Sequence, residues 1–183
     1  MLNMQAIRVE SFSTLSFRVL EDLRDSEFWL TLSTQERPTK AAPRNISGVS
    51  NYSDSRGRSY SGGIKAEISG TRRCSVDIEL ISDTDEPWNF ESNDFRETIL
   101  APGEYELIRD SWAYGHPQLA TLVWSSKEAL SKGLGDALSY DPRALMSPLA
   151  WGQDDDVNWL AELRTLRMPN AQTLVIWTMA PKS

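Results

Sequence analysis

Apolar and polar residues alternate most regularly in residues 74–81, which read CSVDIELI. Successive side chains of a strand point to opposite faces. This run therefore predicts a strand with Val76 and Ile78 on one face and Asp77 and Glu79 on the other. The apolar face would pack on the protein core. The strand would then present two carboxylates, two residues apart, on a single polar face.

A helical spacing of apolar residues runs through residues 124–138. Leu130 and Leu134 are four positions apart and would share the buried face of a helix. Glu128 and Lys132 would stack on another face of the same helix. The sequence thus predicts a third carboxylate, Glu128, on the polar side of a long helix.

The end of the chain reads as a pair of strands. Residues 173–180 form an apolar run, TLVIWTMA, which is typical of a buried strand. We expect it to pair with residues 158–167 through a turn at Pro169 and Asn170. Such pairing would make this hairpin part of the central sheet.

The middle of the chain contains weaker signals. Residues 45–63 are rich in Ser, Gly, Asn and Arg and predict a loop that leads into a strand at residues 63–68. A short helix is predicted between residues 94 and 100, and the first 35 residues are not assigned. Together these elements predict an α+β domain.

The composition is that of a folded domain. The chain has 183 residues, of which 40% are hydrophobic, and it contains one cysteine, Cys74. A single cysteine excludes an internal disulfide framework and a zinc site built from several cysteines. No apolar run reaches the roughly 18 residues needed to cross a bilayer, and Arg8 and Glu10 stand where a signal peptide would need apolar residues. We therefore expect a cytoplasmic protein that does not bind membranes.

Charge is distributed unevenly along the chain, whose formal net charge is −7. Residues 36–73 carry eight basic and three acidic side chains, whereas residues 77–97 carry eight acidic side chains and one basic one. The overall negative charge argues against nucleic acid as a partner. The uneven distribution suits a metal ion held beside a polyanionic ligand, although two solvated faces of opposite charge would give the same pattern.

Three carboxylates are candidate metal ligands: Asp77, Glu79 and Glu128. Mg²⁺ prefers oxygen ligands, and three carboxylates would supply half of an octahedral shell. An exposed acidic strand edge would explain Asp77 and Glu79 as well. Lys127 and Lys132 are close to Glu128 in the sequence and could neutralise phosphate charge.

Three short motifs follow one another along the chain. Residues 59–63 read SYSGG, which fits either a phosphate-binding turn or a hairpin loop. Residues 75–79 read SVDIE, and residues 124–132 read WSSKEALSK. These motifs resemble SHSGG, GVDIE and WSxKEAxxK of the surfactin-type 4′-phosphopantetheinyl transferases, and their order and approximate spacing are similar too.

The resemblance implies an α+β fold of two pseudo-symmetric halves, here near residues 1–73 and 74–183, with a shortened first half. The N-terminal half would contact the adenosine and 3′-phosphate end of coenzyme A. The C-terminal half would hold the metal ion and the pyrophosphate. We expect the chain to be a monomer.

The resemblance also implies a role for each matching residue. The expected Mg²⁺ ligands are Asp77, Glu79 and Glu128. The expected coenzyme A contacts are Ser59, Tyr60, Ser61, Lys127 and Lys132. The expected catalytic residues are Glu128, Lys132 and Glu104, because Glu104 stands where some family members have a glutamate proposed as general base. Asp77 and Glu128 are expected to face solvent or the metal ion.

The implied reaction is Mg²⁺-dependent transfer of 4′-phosphopantetheine from coenzyme A to a serine of an acyl or peptidyl carrier protein, with release of 3′,5′-ADP. Tyr60 departs from the family motif, because a phenol carries no charge where the family has a histidine. Tyr60 and the short first half favour an alternative, a catalytically weak or inactive relative that binds a carrier protein or coenzyme A. A metal-dependent phosphohydrolase that uses the same carboxylates is a third hypothesis.

Overall fold

The computed structural model describes residues 5–8, 14–34, 56–82, 88–111, 118–135, 140–152, 157–169 and 171–182. These residues form two four-stranded sheets and three α-helices. The strands are β1 (Gln5–Arg8), β2 (Thr14–Val19), β3 (Phe28–Thr34), β4 (Arg56–Ser61), β5 (Ile64–Gly70), β6 (Ser75–Ser82), β7 (Trp159–Met168) and β8 (Gln172–Pro181). The helices are α1 (Asn93–Thr98), α2 (Glu104–Ser111) and α3 (Leu119–Leu134).

The first sheet, sheet A, has the strand order β1-β7-β8-β6. Strands β7, β8 and β6 are antiparallel neighbours, and β1 pairs with β7 in parallel. Strand β8 has a neighbour on each side and is buried on both faces. Its apolar run is therefore uninterrupted rather than alternating.

The second sheet, sheet B, has the order β2-β3-β5-β4 and is antiparallel throughout. Leu30 and Leu32 of β3 lie opposite Ile68 and Ala66 of β5, and all four side chains are buried. The residues between them in sequence are more exposed. Sheet B therefore buries one face, as expected for an antiparallel sheet at the surface of a domain.

Sheet A is the middle layer of three. On one face, Val175 and Trp177 of β8 pack with Leu122 of α3 in a core shared with the helices. On the other face, Leu174 and Ile176 belong to a second core shared with sheet B. The two cores explain why alternate residues of β8 are apolar on both sides.

Strands β4 and β6 bring one edge of each sheet together. The hydroxyl oxygens of Ser59 and Ser61 accept hydrogen bonds from the backbone N–H groups of Ile78 and Leu80, at 3.3 and 2.9 Å. Gly62 follows β4 with φ +54°, and a Cβ there would lie 2.3 Å from Leu80 Cδ2. Glycine is therefore required where β4 turns beside β6. We call this contact the β4–β6 junction.

Several expectations are confirmed. The chain has the α+β class, residues 75–82 form a strand, α1 lies where the short helix was predicted, and β7 and β8 pair as a hairpin. The long helix begins at Leu119, five residues earlier than predicted. The alternation of apolar and polar faces did not reveal its first turn, because the residues of that turn are all buried. Its predicted end at residues 136–138 lies outside the described residues.

The prediction that residues 45–63 are a loop is wrong for residues 56–61, which form β4. Their Ser, Gly and Arg composition has low strand propensity, but pairing with β5 and the junction with β6 override it. Residues 45–55 lie outside the described residues.

The division at residue 74 and the pseudo-symmetry stay predictions. Sheet B contains only residues before that boundary, while β1 joins the sheet of the second half. Among the helices that the structure describes, none is both long and apolar enough to span a bilayer.

Candidate active site

A polar cavity of about 310 Å³ opens where β4, β6 and α3 meet. Strand β6 contributes the two acids predicted on its polar face, and α3 contributes residues spaced by four. The lining residues are Arg58, Ser59, Tyr60, Asp77, Glu79, Trp124, Glu128 and Lys132. All three motifs found in the sequence therefore reach one cavity.

Close packing of α3 on β6 positions the two groups of side chains. The Ser75 hydroxyl donates a hydrogen bond to the Ala129 carbonyl at 2.7 Å. A Cβ on Gly133 would lie 2.9 Å from Ser75 Oγ and 2.8 Å from the Trp159 ring. Gly133 therefore permits the approach that brings Glu128 to the same cavity as the acids of β6.

Asp77 is the most enclosed of the three acids, with 3% of its surface exposed. Its Oδ1 atom accepts from Ser59 at 3.0 Å and forms an ion pair with Lys132 Nζ at 2.5 Å. Its Oδ2 atom accepts from Ser125 at 2.6 Å. Asp77 is therefore buried rather than solvent-facing, and its two oxygens accept hydrogen bonds from protein groups. Its expected contact with a metal ion stays a prediction.

Glu79 lies two residues further along β6, beside the same strand of sheet B. Its carboxylate accepts a hydrogen bond from Ser61 at 3.0 Å. Burial, reinforced by the negative charge of Asp77, raises the pKa of Glu79 to about 7. This carboxylate therefore takes up a proton near neutral pH unless positive charge enters the cavity.

Glu128 reaches the cavity from α3. Its Oε1 atom accepts a hydrogen bond from the Tyr140 hydroxyl at 2.9 Å. Burial raises the pKa of Glu128, and Asp77 contributes in the same direction. Burial also raises the pKa of Tyr140, so its phenol stays a neutral donor.

The donor chemistry of the cavity fits Mg²⁺. Three carboxylates supply hard oxygen atoms. Burial, with the charge of Asp77, raises the pKa of Glu79 and of Glu128, so a bound cation would favour their ionised forms. Within the described ranges, however, no three such side chains are grouped closely enough to hold an ion. Each of the three acids instead accepts hydrogen bonds from protein donors. Their convergence on one ion therefore stays a prediction.

Glu104 and Lys127 lie away from the cavity, in a buried ion pair. Lys127 Nζ is 2.6 Å from Glu104 Oε2, and neither side chain has any exposed surface. The other Glu104 oxygen accepts the Ser147 N–H at 2.6 Å. Burial lowers the pKa of Lys127, and the charge of Glu104 opposes that change. This geometry favours a structural role for both residues over the base and the coenzyme A contact expected from the sequence.

A comparison with known protein families matches the part of the chain that contains β6 and α3. The model described as ACPS, 4′-phosphopantetheinyl transferase superfamily, matches residues 73–178, which is more than half of the chain. The chain belongs to this superfamily. The family suggests phosphopantetheine transfer in general, with coenzyme A as substrate and carrier proteins as acceptors, typically with a divalent metal ion. No curated protein matches the chain.

The superfamily match begins at residue 73, so it includes β6 and α3 but not β4. Asp77, Glu79, Glu128 and Lys132 lie within the matched region. Ser59, Tyr60 and Ser61 lie before it. Ser59 and Tyr60 line the cavity, and Ser61 donates a hydrogen bond to Glu79.

Sequence reasoning did not assign a site role to four residues at or beside this cavity. Arg58 and Trp124 line the cavity, and Ser125 holds Asp77. Ser125 had a signal, since it lies three residues before Glu128 on the same helix. Tyr140 gave none, because a single aromatic residue after a helix does not reveal that its hydroxyl returns to Glu128.

Proposed function

We propose that the chain is a surfactin-type 4′-phosphopantetheinyl transferase. It would move phosphopantetheine from coenzyme A to a serine of an acyl or peptidyl carrier protein, with Mg²⁺. The observation that carries the proposal is the meeting of Asp77, Glu79, Glu128 and Lys132 in one polar cavity. The superfamily match supplies the general reaction.

Under this proposal, Asp77, Glu79 and Glu128 would hold Mg²⁺. The bound ion would stabilise negative charge on the diphosphate of coenzyme A. Lys132 would leave its ion pair with Asp77 and turn its ammonium group to the same diphosphate, as a point charge on a flexible stem. Ser59, Ser61 and Ser125 would orient the acids, since each donates to one of them.

The transfer itself balances without any other reactant. The serine oxygen of the carrier forms a bond to the β-phosphorus of coenzyme A, and the bond from that phosphorus to the bridging oxygen breaks. 3′,5′-ADP leaves, and the serine proton passes to solvent or to a base. Most of the acceleration in such a reaction comes from positioning and electrostatic stabilisation rather than from proton transfer.

The proposal is tested by incubating the protein with coenzyme A, Mg²⁺ and several apo-carrier proteins, followed by intact-protein mass spectrometry. We expect a mass gain of one phosphopantetheine group on at least one carrier, and none when EDTA replaces Mg²⁺. A carrier whose acceptor serine is changed to alanine is the matched control. No mass gain on any carrier would contradict transfer.

A second candidate function is a weak or inactive relative that binds coenzyme A or a carrier protein. Two observations favour it: Tyr60 is neutral, and the described acids accept from protein donors rather than forming a ready metal cluster. Binding without any mass gain would support this candidate. Release of phosphate or nucleotide without a carrier would instead support a phosphohydrolase.

A further inference from the structure

The carboxylates of Glu79 and Glu128 are each bonded to the protein through one oxygen only. Glu79 Oε2 accepts a hydrogen bond from Ser61 at 3.0 Å, and Glu128 Oε1 accepts one from the Tyr140 hydroxyl at 2.9 Å. Among the residues that the structure describes, no hydrogen bond or ion pair reaches the second oxygen of either carboxylate. Each of these two acids therefore keeps one oxygen for a ligand in the cavity.

Tyr140 is a different kind of partner from the lysine that pairs with Asp77. Lys132 brings a positive charge to Asp77, at 2.5 Å. The Tyr140 phenol donates one hydrogen bond to Glu128 and stays neutral, because burial raises its pKa. Tyr140 therefore fixes one oxygen of Glu128 without neutralising the carboxylate.

The chain around Tyr140 is fixed by contacts with the core. The Asp141 side chain caps the short 3₁₀ turn that follows. The Pro142 carbonyl accepts a hydrogen bond at 2.9 Å from Lys127 Nζ, whose ion pair with Glu104 has no exposed surface. Tyr140 is therefore two residues from an anchor in the core, and its hydroxyl returns to α3 at a defined place.

A glutamate side chain has several rotatable bonds, and ordering it costs conformational entropy. A cation that binds a free glutamate must offset that cost, whereas a glutamate already held by a hydrogen bond is ordered beforehand. Carboxylates that bind metal ions are themselves hydrogen-bonded for this reason, and loss of such a partner typically weakens metal binding by about 10- to 100-fold. The bond from Tyr140 to Glu128 has this form.

We propose that Tyr140 is a positioning residue that holds Glu128 through Oε1 and leaves Oε2 for a divalent cation. The inference rests on the proposed function, which assigns Glu128 to Mg²⁺. Tyr140 acts only through Glu128 and takes no part in bond breaking. It gives the segment after α3, which lies outside the three motifs, a role in metal binding.

The inference is tested by titration of Mn²⁺ alone, with the free ion measured by electron paramagnetic resonance. Mn²⁺ is suitable because it takes the same oxygen ligands as Mg²⁺. The proteins are the wild type, Tyr140→Phe, Glu128→Gln and the double variant Tyr140→Phe/Glu128→Gln. Tyr105→Phe is the matched control, because the Tyr105 hydroxyl also donates to a glutamate, Glu91, but neither residue lines the cavity. Circular dichroism sets a temperature at which every variant is folded.

We expect Tyr140→Phe to weaken Mn²⁺ binding about tenfold, and Tyr105→Phe to leave it unchanged. Glu128→Gln should weaken binding further, because it removes the charged ligand itself. In that background Tyr140→Phe should add nothing, since Tyr140 acts through the carboxylate that is already lost. A residue that only stabilised the fold would not show this dependence on Glu128.

Unchanged or tighter Mn²⁺ binding in Tyr140→Phe would overturn the inference, and so would the same weakening with and without Glu128. Absence of Mn²⁺ binding by the wild type would overturn it together with the metal site of the proposed function. Tyr140-dependent binding of Mn²⁺ without transfer to any carrier would contradict the proposed function alone, so the two failures are distinguishable.

Discussion

Breaking the buried ion pair of Lys127 and Glu104 tests whether these residues hold the fold or take part in transfer. Lys127 Nζ donates to Glu104 at 2.6 Å and to the carbonyls of Ile99 and Pro142 at 2.7 and 2.9 Å. Removal of one partner leaves the other charge buried without compensation, at a cost of about 3–5 kcal/mol. The free energy of unfolding of a whole domain is about 5–15 kcal/mol, so this change should remove a large part of its stability.

The free energy of unfolding is measured by urea denaturation at pH 7.5 for the wild type, Lys127→Met and Glu104→Gln. The double variant Lys127→Met/Glu104→Gln combines the two changes and removes both charges. We expect it to be less destabilised than the sum of the single changes, because neither charge is left alone. Lys65→Met is the matched control, since Lys65 pairs with Glu67 at the surface. This change should lower the free energy of unfolding by less than about 1 kcal/mol.

The same variants separate structure from catalysis. If Glu104 is structural, Glu104→Gln should keep most of its transfer rate per folded molecule at a temperature well below its melting point. Full loss of transfer in Glu104→Gln, with a urea midpoint equal to that of the wild type, would refute this reasoning. That result would restore Glu104 as the base.

Three further predictions concern the cavity. Asp77→Asn should abolish transfer. It should also lower the free energy of unfolding by about 1–3 kcal/mol, because the Asp77 carboxylate is buried and accepts hydrogen bonds. An unchanged thermal midpoint would contradict this prediction. Tyr60→His should lower the KM for coenzyme A. The decrease should be larger at pH 6 than at pH 8, because the imidazole is mostly cationic only at the lower pH. An unchanged KM would show that residue 60 does not contact a phosphate group of coenzyme A. Glu79, with its pKa raised to about 7, is mostly protonated at pH 6 and mostly ionised at pH 8. Mg²⁺ binds the ionised carboxylate, so the increase in melting temperature caused by Mg²⁺ should be larger at pH 8 than at pH 6. Scanning fluorimetry measures this, and Glu79→Gln should flatten the dependence.

The parts of the fold that could be predicted are those with strong local patterns. Alternation in β6 identified a strand with Asp77 and Glu79 on one face, and the apolar run of β8 identified a buried strand. Strand β4 was missed because its partner β5 and its junction with β6 stabilise it, and neither contact is visible in a Ser- and Gly-rich segment.

The candidate site also contains residues that the sequence predicted and one whose position it did not. Motif spacing brought Asp77, Glu79, Glu128 and Lys132 together, and all four line the cavity. The interior position of Lys127 was not visible in the sequence. It neighbours Glu128, but on a helix adjacent residues point about 100° apart, so Glu128 faces the cavity while Lys127 faces Glu104 in the core.

The β4–β6 junction links the amide groups of one sheet to side-chain oxygens of the other. The N–H groups of Ile78 and Leu80 are protected by Ser59 and Ser61 rather than by carbonyl groups of a neighbouring strand. Separation of the two sheets would expose both amides and release Asp77 and Glu79 from the same two serines. Deuterium uptake at these two amides would therefore report directly on opening of the cavity.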